Sequence, residues 1–177
     1  DQEDLLAMVG PPIQEGFRDH IGVPEHQVDA VVADYRDRYN DRMLQAPLYP
    51  GIADIVRDLH AREIPLAVAT SKRQSLARVI IQHAGLMPYF HTVRGASEDE
   101  SRATKPEIIE DALTDLRAAG ADLQRAVMVG DRHYDVDGGK EHGLATVLVR
   151  WGYAQPGEAD HADVIVESHE ELARALT

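Results

Sequence analysis

The chain has 177 residues, 44% of them apolar, enough to bury a sizeable core in one or two compact units. Its formal charge of -13 excludes nucleic-acid polymers and anionic membranes as partners held by long-range attraction, since both need a basic face. With no cysteine there is no disulfide framework, thiolate metal site or Cys nucleophile; no apolar run reaches bilayer length or reads as a secretory signal, which suits the cytoplasm.

In chain order, the first 46 residues read as helices with turns between them. Leu5, Leu6, Met8 and Val9 close a first helix at Gly10. Pro11 and Pro12 open a second, whose apolar stripe is Ile13, Phe17 and Ile21 and whose stop is Gly22. A third is expected from about Pro24 to Met43, with Val28, Val31, Val32, Tyr35 and Tyr39 recurring at helical spacing. Pro47-Leu48-Tyr49-Pro50-Gly51 is dense punctuation, and it separates this helical module (residues 1–46) from the remainder of the chain (residues 47–177).

The second part alternates. A helix over Ile52 to Arg62 leads to a buried strand, Ile64 to Thr70, whose Pro65 is tolerable only near its start. Then come a helix from Gln74 to Ala84, a strand at Thr92 to Arg94 and a helix from Pro106 to Ala118. A strand from Arg125 to Gly130, a short helix, strands at Ala145 to Val149 and Ala162 to Val166, and a closing helix complete the chain. Strands alternating with helices predict an α/β fold with a parallel sheet covered on both faces.

In such a sheet ligands bind at the carboxyl ends of the strands. The run Ala126-Val127-Met128-Val129 is too short for a helix and reads as a strand buried on both faces. Gly130 ends it and delivers Asp131 to that rim, with Asp135 and Asp137 behind. Three carboxylates there suit a hard cation with oxygen ligands, magnesium first, the alternative being that Asp135 merely caps the next helix and Asp137 is solvated. Thr70-Ser71-Lys72 offers a hydroxyl and turn amides where a strand passes into a helix, a cradle for phosphate oxygens or an N-cap. Lys105 opens a helix, where a cation opposes the macrodipole, so it invites a functional explanation beside the plain solvated one.

With Thr70, Lys105, Asp131 and Asp135 in that order, the last two as Gly-Asp-x-x-x-Asp after an apolar strand, the chain resembles the haloacid dehalogenase-like hydrolases. Tyr49-Pro50-Gly51, Leu66 to Lys72, Lys105-Pro106, Met128 to Arg132 and Trp151-Gly152-Tyr153 look like its phosphoglycolate phosphatase branch. The resemblance implies a Rossmann-like core with a small all-helical cap, Gly10-Pro11-Pro12 being the cap segment that faces the active site. It also implies a magnesium-dependent phosphatase working through an aspartyl-phosphate, with a second aspartate as acid and base. By that resemblance Thr70 holds a phosphate oxygen, assisted by Ser71, Lys72, Gly10 and Pro11. Lys105 pairs the nucleophile and phosphate, Asp131 binds magnesium, and Asp135 orients a metal-bound water or Lys105. The expected partner is a small phosphorylated metabolite, and the expected assembly a monomer or homodimer.

The family's first motif, Asp-x-Asp-Gly-Thr on an opening strand, is nowhere in these residues, and the chain opens at Asp1 rather than Met. A central strand would go with it, and a sheet lacking a middle strand leaves neighbours with unpaired backbone groups. The expectation is that a stretch of a few tens of residues precedes Asp1; otherwise the chain is a non-catalytic relative that keeps the phosphate cradle for binding or interaction. A 5'-nucleotidase is the alternative activity, because Gly-Pro-Pro and Gly-Asp-Arg-His-Tyr-Asp also look like that neighbouring group. Substrate choice is expected to reside in the cap, where Arg18, His20, Arg36, Arg38, Tyr39 and Arg42 could meet a carboxylate, a sugar or a base, against the plain reading that most are surface residues, arginine on a helix being normally exposed. His133 is expected to face solvent, and Trp151 and Tyr153 to pack a loop.

Overall fold

The computed structural model describes residues 8–99 and 101–176, in two compact units, Asp1–Pro47 and Leu48–Thr177. In the first unit, the helix expected to close at Gly10 lies mostly outside the described residues. A single turn, α1 (Ile13–Glu15), runs straight into a five-residue π-helix, Gly16–His20, and Gly22 comes after it with φ +79°. Pro12 is the N-cap, so both prolines stand before the helix rather than in its first turn. Helix α2 (Glu25–Asn40) buries Val28 and Val32 and stops short of Met43, where the chain breaks into turns. Phe17 meets Tyr35 edge-on at 5.6 Å, and Tyr35 stacks on Tyr39 one helical turn on at 5.7 Å.

In the second unit α3 (Ile52–Ala61) precedes β1 (Ala67–Arg73), α4 (Gln74–His83) and β2 (Thr92–Ala96). Then come α5 (Lys105–Ala118), β3 (Val127–Gly130), α6 (His133–Glu141), β4 (Ala145–Val149), β5 (Val164–Val166) and α7 (His169–Ala175). All strand pairs are parallel. They form two sheets, β1 with β2, and β4 between β3 and β5. The fold is therefore α/β with parallel sheets and helical crossovers, as the alternation predicts.

Two strands differ from expectation in ways that bear on the site. The strand expected from Ile64 begins at Ala67, after Pro65, which has no N–H for a ladder, and it runs on to Arg73. Thr70 pairs with Gly95 and Arg73 with Ala96, so Ser71 and Lys72 are extra residues in a bulge, not turn residues. The strand expected to be buried on both faces, β3, is not: Val127 is 42% exposed and the rest is half-buried. Its physical reason is visible in the topology, because among the described residues β3 pairs on one edge alone, with β4. By contrast β4, paired on both edges, is buried from Thr146 to Val149.

The core gathers on β4. Val147, Val149, Val166 and Leu172 pack together with Ile52, Ile55, Val129, Trp151 and Leu176 around them, while Leu148 packs with Val136. Ile108 and Leu148 are fully enclosed, each contributing roughly 1.5–3 kcal/mol of burial. Helix α5 is anchored at both ends. The Glu107 carboxylate accepts from Ala103 N, Thr104 N and Thr104 Oγ1 at its start. Further along, Asp115 receives the Arg94 guanidinium fork at 2.5 and 2.6 Å from β2. Lys105, the first residue of α5, is thus presented by a fixed element.

Candidate active site

Two side chains meet where β1, α5 and the start of α6 come together. Lys105 Nζ lies 2.9 Å from Asp135 Oδ1 and donates to the Ala69 carbonyl of β1 at 3.2 Å. The two charged side chains are 10% and 9% exposed. The other Asp135 oxygen, Oδ2, accepts from the backbone N–H groups of Asp131 and Arg132, both at 3.2 Å, and so caps α6 as well. Asp135 therefore fills both roles left open by the sequence: it caps a helix and pairs with Lys105.

Close packing holds this arrangement together. Gly138 of α6 lies under the Lys105 stem: a Cβ there would sit 3.0 Å from Lys105 Cγ and 3.0 Å from Ile109 Cδ1. Asp131 comes directly after β3, and its Oδ2 accepts from Tyr153 N at 2.9 Å. A Cβ on Gly152 would overlap that carboxylate, so only glycine lets the 151–153 segment approach so near. Burial pushes the Asp131 carboxyl up, and the neighbouring Asp135 charge adds to this against the opposing bond from Tyr153.

The cluster of three acids does not form. Asp135 is committed to Lys105 and two amides, and Asp137 is exposed, with His161 Nδ1 4.0 Å away. Among the described residues no group of three metal-ligating side chains gathers anywhere. Thr70 adjoins Ala69, the carbonyl that Lys105 holds, and its Oγ1 accepts from Lys72 N at 3.3 Å inside the bulge. Ser71 Oγ is buried with no hydrogen-bond partner, a state buried hydroxyls seldom keep. Gly10 and Pro11 belong to the first unit, where Gly10 has φ +120° and Pro11 is buried. There, Arg18 pairs with Asp19 and Arg38 with Asp34.

Sequence reasoning missed one element beside the site. Arg132, 4% exposed, forks onto Glu158, with Nη2 at 2.8 Å and Nε at 2.9 Å. His133, expected to face solvent, places Nδ1 2.9 Å from the same carboxylate. Burial opposes ionisation of Glu158, but bonds from Arg132, His133 and Gln155 N outweigh it and hold the carboxyl at about 2. An arginine directly after the acid at a strand end signals a need for compensation. Nothing local names a partner 26 residues on. No helix among the described residues is long and apolar enough to cross a membrane.

The chain also has known relatives. It is 40% identical over 174 residues to the tyrosine-protein kinase PtkA of Mycobacterium tuberculosis, covering 96% of this chain and 58% of that one. It is 32% identical over 181 residues to a phosphoglycolate phosphatase of Caulobacter vibrioides, covering 98% of this chain and 75% of the relative. A crystal structure of a predicted phosphatase from Clostridium acetobutylicum superposes with TM-score 0.89 at 30% identity, over 99% of this chain and 82% of that one. Finally, the family model described as haloacid dehalogenase-like hydrolase matches residues 1–149. With most of its length inside that model and a parallel α/β core to match, the chain belongs to the haloacid dehalogenase-like hydrolase family.

Proposed function

We propose that the protein is a magnesium-dependent phosphatase acting on a small phosphomonoester, phosphoglycolate-like in size and charge. The observation that carries this reading is Lys105, an ammonium held between the Ala69 carbonyl and the Asp135 carboxylate beside Asp131. A fixed cation next to an acid at a strand end is suited to spreading the charge of a transferring phosphoryl group. In this reading Thr70 and the orphaned hydroxyl of Ser71 take phosphate oxygens, with Lys72 beside them in the bulge.

The donor chemistry at Asp131 fits magnesium, which takes hard oxygens and is commonly held by one or two carboxylates together with waters and phosphate oxygens. Asp131 would hold the ion and Asp135 would stand behind it. Bound there, magnesium would neutralise charge on the phosphoryl group. Asp135 meanwhile keeps Lys105 aimed and keeps the turn after β3 closed. In the same reading the phosphoryl group passes through an aspartyl-phosphate; among the described residues β1 pairs only with β2, and β3 only with β4.

The 40% identity to a tyrosine kinase favours a second reading, in which the same site passes a phosphoryl group to or from a tyrosine hydroxyl. One experiment separates these readings. The full-length protein with magnesium is offered phosphoglycolate, nucleoside monophosphates, sugar phosphates and phosphotyrosine, and separately ATP with a tyrosine peptide. Preferential release of phosphate from phosphoglycolate supports the first reading, and preference for nucleotides moves the substrate to the 5'-nucleotidase class. Label transferred from ATP to tyrosine, with no hydrolysis of any monoester, overturns the phosphatase reading.

A further inference from the structure

Glu158 lies outside every motif the sequence offers, yet its carboxylate, 11% exposed, is the most densely bonded acid beside the site. Arg132 Nε and Nη2, His133 N and Nδ1, and Gln155 N all meet it, at 2.8 to 3.4 Å. Arg132 is engaged at both ends, its backbone N–H on Asp135 and its guanidinium on Glu158. Between Trp151 and Glu158 the chain places Tyr153 N on Asp131 and Gly152 against the same carboxylate. These contacts close a ring: residues 131 and 132 on one side, 153 to 158 on the other, joined by the Asp131 to Tyr153 bond and the Arg132 to Glu158 fork.

We infer that Glu158 is a positioning residue, whose hold on Arg132 keeps the 151–158 segment seated so that the Tyr153 N–H orients the Asp131 carboxylate. A surface ion pair would not do this, because screening and side-chain entropy make such pairs weak. Here the arginine is buried and bidentate, so detaching the segment would pull the Glu158 carboxylate away from a buried charge. The bond to Tyr153 occupies Oδ2 and fixes the carboxylate plane, leaving Oδ1 out of that bond. Partners behind a ligating group typically alter its metal affinity by about 10–100-fold. The consequence for magnesium rests on Asp131 being the metal ligand, as proposed for the phosphatase; the seating of the segment does not.

Amide hydrogen exchange followed by NMR on the full chain tests the inference. Glu158→Gln keeps the size and loses the charge. It is expected to speed exchange at Tyr153 N on the order of tenfold while the β4 amides of Val147 and Leu148 keep their rates. The double variant Arg132→Met with Glu158→Gln controls for lost stability, since it removes both charges of the pair while the glutamine oxygen can still accept from Gln155 N. It is expected to restore the melting temperature and leave Tyr153 exchange fast. Unchanged exchange at Tyr153 in Glu158→Gln overturns the inference, as does an equal rise at Tyr153, Val147 and Leu148, or slow Tyr153 exchange in the double variant. Magnesium titration of the same variants, read by Trp151 fluorescence, is expected to show about tenfold weaker binding. Fast Tyr153 exchange with unchanged magnesium affinity leaves the positioning intact and instead removes Asp131 from the metal site.

Discussion

Lys105 and Asp135 meet 2.9 Å apart with each side chain about nine-tenths buried, joining the first turn of α5 to the first turn of α6. Such a pair gains little over a well-packed apolar one, because desolvation of both charges offsets their attraction, but losing one partner is costly. In the phosphatase reading, the pair is better explained by what an aimed ammonium does for a phosphate than by stability.

Replacing Lys105 by Met keeps the stem and strands the Asp135 charge. The expected cost is about 3–5 kcal/mol, lowering the melting temperature by roughly 10 °C in a chain of this size. Magnesium-dependent hydrolysis should fall by about a hundredfold or more, as when one charge-stabilising donor is removed from an active site. In the double variant Lys105→Met with Asp135→Asn, whose amide oxygen can still accept from the Asp131 and Arg132 N–H groups, calorimetry should show much of the stability returning while the rate stays low. Activity returning with stability would mean that the lysine serves the fold alone.

Gly138→Ala probes the same lysine without touching it. The added methyl would press on Lys105 Cγ and Ile109 Cδ1, each 3.0 Å away, and neither can yield freely: Ile109 is 2% exposed and Lys105 is tied at its tip. Alanine normally gains up to about 1 kcal/mol over glycine inside a helix. The overpacking should reverse that sign and destabilise by about 1–3 kcal/mol. Urea unfolding measures the difference, and a net stabilisation would show that the lysine stem has room to move.

The acid limb of stability should carry the signature of Glu158. Its carboxyl titrates at about 2 in the folded protein against an ordinary 4.5, so folding is favoured by the ionised form. This contribution is complete above pH 4.5 and is lost as pH falls toward about 2; it is on the order of 3 kcal/mol. Unfolding free energies measured across that window should flatten in Glu158→Gln. An identical pH dependence in the variant would contradict the assignment.

Much of the fold is legible in the sequence because it rests on local periodicity. The helices starting at Ile52 and Gln74 and the strand Ala145–Val149 stand where apolar spacing puts them. What escapes is set by distant partners. The half-exposure of Val127 depends on which edge of β3 is paired, and the bulge at Ser71 and Lys72 depends on the register against Gly95 and Ala96. For the site, Lys105, Asp131 and Asp135 could be named from their order along the chain, and the structure brings them together. Asp137 shares their composition but lies exposed on α6, because helix phase, not sequence proximity, decides which acids face the lysine. The Glu158 clamp had no local signal at all, since its carboxylate reaches Arg132 across 26 positions.

The most direct test is the rate of p-nitrophenyl phosphate hydrolysis by the full-length protein with and without magnesium, for the native chain and for Asp131→Asn. Asparagine keeps an acceptor for Tyr153 N and should leave the melting temperature near its native value, so a lost rate would report on chemistry. The account predicts turnover that requires magnesium and is abolished in the variant. Native turnover in Asp131→Asn, with the metal still required, would contradict it.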